Sequence, residues 1–127
     1  MRNRWLAIGA LNGLLAVAAG AFGAHALKST LSAESLDTFK TGAFYHLVHA
    51  VALCVSSLAV AGERGASSAK ICFLAGIVLF SGSLYALALT GVRELGAITP
   101  LGGIAFIAGW GFLAWTGLKP TDRERAS

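Results

Sequence analysis

The chain has 127 residues, 56% of them hydrophobic and 13% charged, with a mean hydropathy of +0.71. Soluble domains carry about 25% charged residues to keep their surface in water, so this composition excludes a water-soluble domain and implies one membrane domain, residues 1–127. The formal net charge of +4 comes from ten Lys and Arg spread over short connectors, not gathered into one basic face; no nucleic-acid partner is expected.

Four uncharged apolar runs occupy residues 5–27, 43–62, 71–91 and 97–118. About 20 helical residues span a hydrocarbon core of roughly 30 Å, and only helices or closed barrels satisfy their backbone there. No run alternates in polarity as barrel strands do, so the expected fold is all-α, an integral membrane bundle of four transmembrane helices. Seven of the ten basic residues (Arg2, Arg4, Arg64, Lys70, Lys119, Arg123, Arg125) fall on one side, against Lys28, Lys40 and Arg93 on the other. The positive-inside rule therefore puts both termini in the cytoplasm, and Trp5 and Trp115, at the same ends of their runs, suit the headgroup layer.

The first run has a competing reading. Arg2 and Arg4, a long apolar stretch and Ala24-His25-Ala26 resemble a signal peptide with an A-x-A cleavage site, although the stretch is longer than the roughly 7 to 15 residues of an ordinary apolar region. Gly9, Gly13, Ala16, Gly20 and Gly23 recur at intervals of three and four and make one helix face smooth, as close packing in lipid requires. A retained helix is the better reading, with Gly9, Gly13, Gly20 and Gly23 as packing residues. The connector at 28–42 mixes Leu31, Leu36 and Phe39 with polar residues and is expected to form a short helix lying in the outer interface, with Ser32 as N-cap and Glu34 in its first turn. Residues 63–70 read as a flexible cytoplasmic turn and 92–96 as a tight outer one. Thr99 before Pro100 marks a helix start. Cys54 and Cys72 have no ligand-like neighbours and read as small buried apolar side chains.

Four stretches then become recognisable together: GAFGAHALK at 20–28, FYHLVHA at 44–50, LFSGSLYALALTG at 79–91 and ITPLGGIAFIAGW at 98–110. They resemble the uncharacterised small inner-membrane family of the YgdD and YwdK type, also known as domain of unknown function 423, which has a mitochondrial relative in animals. The resemblance spans about residues 5–119. It implies a multi-pass membrane protein of the bacterial inner membrane with no assigned activity, and it brings no catalytic residue. Cleavage after Ala26 would cut the first of these motifs.

Side chains able to carry chemistry collect in the outer half. His25 lies near the outer end of the first helix, and His46 and His49 about one and two turns into the second. The third helix brings Ser81, Ser83 and Tyr85 toward that side. A small-molecule pocket built from His25, His46, His49, Ser81 and Tyr85 is therefore one candidate. The three-residue spacing of His46 and His49 also suits two ligands on one metal or haem, yet no carboxylate lies inside any run; neither a metal site nor a cofactor is assigned. The Asn12 amide must find a partner at depth, most simply across helices. Tyr45 reads as part of an outer aromatic belt. Trp110 is too deep for a belt and is expected to fill space with its indole N–H bonded to a neighbour. Gly76, Gly82, Gly102, Gly103 and Gly109 extend the smooth faces to the third and fourth helices, and the glycine pair after Pro100 also suits a loosened helix start lining a cavity.

Three functional readings follow. The first is a structural or accessory protein that packs against membrane lipid, other membrane proteins or further copies of itself through glycine-rich faces. The second is a small-molecule binder or transporter using the outer pocket, with histidine as the titrating group. The third is a histidine-ligated metal or haem protein. Nothing in the chain resembles a reaction centre, so the first reading, without enzymatic activity, is favoured.

Overall fold

The computed structural model describes residues 2–59, 64–120 and 122–127. Four of its helices are long and apolar enough to cross a membrane: α1 (Arg4–Leu27), α2 (Ala33–Leu58), α3 (Arg64–Thr90) and α4 (Arg93–Leu118). A short α5 (Asp122–Ala126) follows. The helices are closed by local chemistry. Asn3 Oδ1 accepts the Leu6 N–H at 3.1 Å to cap α1, and its Nδ2 donates to the Ser57 carbonyl at 3.2 Å, tying that end to the end of α2. Ser32 Oγ accepts the Ser35 N–H at 3.1 Å and caps α2. Gly91, at φ 72°, takes the left-handed conformation that ends α3, donating its N–H to Leu87 O at 2.8 Å. The first turn of α4, Arg93–Ala97, is 3₁₀ and gives way to α-helix over Thr99–Leu118, with Pro100 in the first turn.

The second helix starts earlier than the apolar run at 43. Residues 33–42 form no separate interfacial helix; they are the first turns of α2, running straight into the span. Lys40, Asp37 and Glu34 mark where the chain leaves hydrocarbon, but charge does not end a helix whose N-cap and side-chain spacing let it extend into the headgroup layer. Likewise α3 begins at Arg64, so most of the turn expected at 63–70 is helical; its first residue, Glu63, and the end of the second run, 60–62, lie outside the described residues.

The bundle is a chain of antiparallel neighbours in which α1 packs on α2, α2 on α3 and α3 on α4. The inner pair is the more enclosed: 44% of the apolar window of α2 is buried, against 11% for α1. Along the α1–α2 seam, Gly9 meets Leu53 and Cys54, Gly13 meets Ala50, Gly20 meets Ala43 and Gly23 meets Phe39. The α3–α4 seam interlocks by a different device. Phe73 fills the notch at Gly109, Phe106 the notch at Gly76, and Phe80 the notch at Gly102. The steps of three and four residues up one helix match the steps down the other, so each seam stays on one face of both helices. Ala52, Leu53, Ala69, Phe73, Ile77 and Phe106 form the main core, and Ala24, Phe39 and Ala88 a smaller one toward the α1–α2 turn.

The outward faces are apolar at high exposure, for example Phe22 and Ile107 at 74% and Leu14 at 63%. Monomeric soluble proteins rarely expose contiguous apolar patches beyond a few hundred Å²; here such faces wrap the bundle, as lipid contact requires. At the end holding the chain termini, Lys70 Nζ lies 5.6 Å from the Trp5 ring and Lys119 Nζ 3.7 Å from the Trp115 ring, placing both indoles beside cations at the same level.

The glycines of the first helix are not equivalent. A Cβ at Gly9 would stand 2.8 Å from Cys54 Sγ and 3.0 Å from its backbone nitrogen, whereas one at Gly13 or Gly20 would make an ordinary contact at 3.9 or 3.6 Å. At Gly102 the obstruction is the backbone nitrogen of Phe80, which has no freedom to move aside. Gly102→Ala is therefore expected to destabilise the bundle by about 1–3 kcal/mol, while Gly13→Ala is expected to be neutral, in reversible unfolding of the purified protein by SDS titration in micelles. Equal losses at the two positions would contradict these seams.

Candidate functional site

The polar groups at depth are brought together by α2. His46 and His49 are three residues apart and so point about 60° from one another around the helix, which sends them to different neighbours. His46 is buried; its Nε2 lies 3.0 Å from Asn12 Oδ1 on α1 and its Nδ1 3.0 Å from Tyr85 Oη on α3. Asn12 Nδ2 donates to the Ile8 carbonyl at 2.9 Å. That contact turns Oδ1, which can only accept, toward His46, so Nε2 carries the proton and Nδ1 accepts the Tyr85 hydroxyl. His49, also buried, has the opposite arrangement. Its Nδ1 donates to the Tyr45 carbonyl at 2.7 Å, and its Nε2 accepts the Trp110 Nε1–H of α4 at 3.0 Å. Indole is a donor only, so one neutral ring, protonated on Nδ1, satisfies both contacts.

The His49 ring also stacks on Phe106, with centroids 3.5 Å apart and planes at 9°, and Phe106 is the side chain seated in the Gly76 notch. The hydrogen-bond network therefore sits on the same residues that lock α3 to α4. Through two histidines α2 is bonded to α1, α3 and α4. Asn12 and Trp110 each have the partner that their depth demands, although Trp110 is 46% exposed and fills the interhelical space only in part. Tyr45 is partly exposed and packs on Phe80 with the rings tilted at 50° and centroids 4.7 Å apart, as well as lending its carbonyl to His49.

Of the five residues singled out for a pocket, His46 and Tyr85 meet directly. His49 turns to Tyr45 and Trp110. His25 stands apart at the α1–α2 turn, exposed, in a surface depression with Lys28 and Lys40. Ser81 is fully buried and its Oγ has no hydrogen-bond partner. It closes a π-helical turn, Ile77–Ser81, in which the Ile77 carbonyl accepts the Gly82 N–H; single π turns frequently accompany functional positions. Ser83 is satisfied, donating to the Phe80 carbonyl at 2.9 Å and sharing a 2.7 Å hydrogen bond with Thr99 Oγ1 across α3 and α4. Among the described residues no three His, Cys, Asp or Glu side chains gather closely enough to hold a metal ion. Cys54 and Cys72 are free and partly buried, each beside a seam glycine, Gly9 and Gly109.

Phe106 and the Gly76 notch beneath it were not singled out with the histidines, and Asn12 and Trp110 were read separately from them. The available signal was depth: an amide, an indole and two imidazoles within hydrocarbon need partners, and each other's atoms are the ones at hand.

A family model described as a protein of unknown function, DUF423, matches residues 19–103. The UPF0382 membrane protein YwdK of Bacillus subtilis is 47% identical over 109 residues, covering 84% of this chain and 89% of that one. A UPF0382 membrane protein of Haemophilus influenzae is 42% identical over 120 residues, covering 94% and 97%. The UPF0382 inner membrane protein YgdD of Escherichia coli is 41% identical over 118 residues, covering 89% and 88%. No solved structure matches the chain. The four membrane-spanning helices and the match over most of its length make this chain a member of the UPF0382 (DUF423) family of bacterial multi-pass inner-membrane proteins.

Proposed function

We propose that this chain is a structural or accessory membrane protein, which associates with lipid and neighbouring membrane helices through its outer faces and performs no chemistry of its own. The observation that carries this reading is that all four ring nitrogens of His46 and His49 are engaged by groups of the bundle itself. A metal ligand or a proton-coupled binding site needs at least one imidazole nitrogen open to its ligand. Groups satisfied this way act as interhelical ties, and the chemically unremarkable, exposed faces of α1 and α4 supply the contact surface.

If the histidines are ties, their worth is readable in stability. Tyr85→Phe, which removes only a hydroxyl, is expected to cost about 1 kcal/mol in the native background and nothing when His46 is already Leu. The double-mutant cycle is measured by SDS unfolding. Additive losses, or histidine-dependent solute flux in proteoliposomes, would replace the structural reading with the pocket.

We also infer that both termini face the cytoplasm, on the seven basic residues at that end against three at the other. An alkaline phosphatase fusion after Ser127 is then inactive and one inserted after Thr30 active. The reverse pattern would invert the protein.

A further inference from the structure

Where α1 turns into α2, two depressions run into one another. The first, about 250 Å³, is lined by His25, Lys28 and Lys40 over Gly20 and Ala21. The second, about 370 Å³, continues along the α1–α2 seam, with Ala16, Gly20 and Ala43 as its floor and Phe44 and Leu47 as a wall. Gly20, Ala21 and Lys40 belong to both. The slot exists because small residues face each other there and because α1 widens into a π-helical segment, Ala18–Gly23, at that level.

Its chemistry is divided by depth. The upper part holds two lysines and a histidine and no carboxylate. Glu34 lies on the other side of α2, lining a depression with Arg93, and Asp37 lines neither part. Among the described residues neither Lys28 nor Lys40 has an ion-pair partner. The lower part is hydrocarbon apart from the Lys40 stem, and it runs from the end of α1 toward the middle of the span.

We propose that this slot binds one anionic phospholipid, its phosphate held by Lys28, Lys40 and His25 and one acyl chain laid in the groove. A cationic mouth at the level where the helices end, opening onto an apolar trough that descends along the seam, has the polarity and direction of a lipid in a leaflet. Basic residues near the surface favour anionic headgroups, and lysine stems lie along apolar walls while the ammonium stays at the headgroup. The proposal deepens the accessory role by naming the lipid class. It fails separately from it, since its readout is lipid selectivity at Lys28 and Lys40 and not stability at His46.

The test uses the full chain in nanodiscs of equal phosphatidylglycerol and phosphatidylcholine with identical acyl chains, ejected into a native mass spectrometer to count retained lipids. The wild type is expected to retain phosphatidylglycerol in preference by at least roughly fivefold, the effect of one lysine at a membrane surface. The double variant K28Q/K40Q, changed only at exposed positions, is expected to lose the preference while still folding. Ala21→Trp, also at an exposed position, fills the slot and is expected to reduce retention of both lipids. Glycerol 3-phosphate should not displace the lipid, because it leaves the groove empty. Equal retention of the two lipids by the wild type, an unchanged preference in K28Q/K40Q, unchanged retention in Ala21→Trp, or displacement by glycerol 3-phosphate would each overturn the site.

Discussion

Hydrocarbon offers no hydrogen-bond partner, so a polar atom carried into the bilayer is costly unless it finds one within the protein; of the buried side-chain N and O atoms among the described residues, Ser81 Oγ is left without one. In this chain that requirement converges on α2. Its two imidazoles present four nitrogens, and these are matched one for one by an amide, a phenol, a backbone carbonyl and an indole. Three of the four partners lie on different helices. The demand for satisfaction thus becomes a set of directional constraints on where α1, α3 and α4 stand around α2, something that apolar surfaces, equally content against lipid, do not supply.

Glycine notches give the complementary constraint. Dispersion contacts reward close approach, and in lipid they do so without help from a solvent-driven term. The α3–α4 seam exploits this with three phenylalanines seated over three glycines, while the α1–α2 seam is tight at Gly9 and Gly23 and looser at Gly13 and Gly20, where glycine faces alanine. Phe106 joins the two systems. It occupies a notch in α3 and carries the stacked His49 ring on its face, so the packing of one seam positions the acceptor for Trp110.

The sequence announced the spans through composition alone, because twenty uncharged apolar residues have few other destinations. Two helix starts were equally readable, at Ser32 and at Thr99-Pro100, where backbone chemistry puts such residues; the left-handed Gly91 that ends α3 was not singled out. That the helix begun at Ser32 continues into the second span was not readable, since Glu34, Asp37 and Lys40 report the boundary of the lipid and not that of the helix. Which polar groups pair was hidden for a related reason. Nearly uniform apolar helices carry little sign of their rotation about their own axes, so His46 and Tyr85 were legible as neighbours in depth but the turn of His49 toward Trp110 was not. The two π segments, which shift the facing of all residues beyond them, have no local signature in the Ala18–Gly23 or Ile77–Ser81 stretches.

The claim on which the rest stands is that α2 is tied to its three neighbours through two neutral histidines of opposite tautomer. Solid-state NMR of the protein labelled with ¹⁵N-histidine in lipid bilayers reads the protonation of each ring nitrogen directly. The account predicts His46 protonated on Nε2 and His49 on Nδ1, each with its other nitrogen accepting a hydrogen bond. Two rings in the same tautomer, or a His49 protonated on both nitrogens at neutral pH, would contradict it.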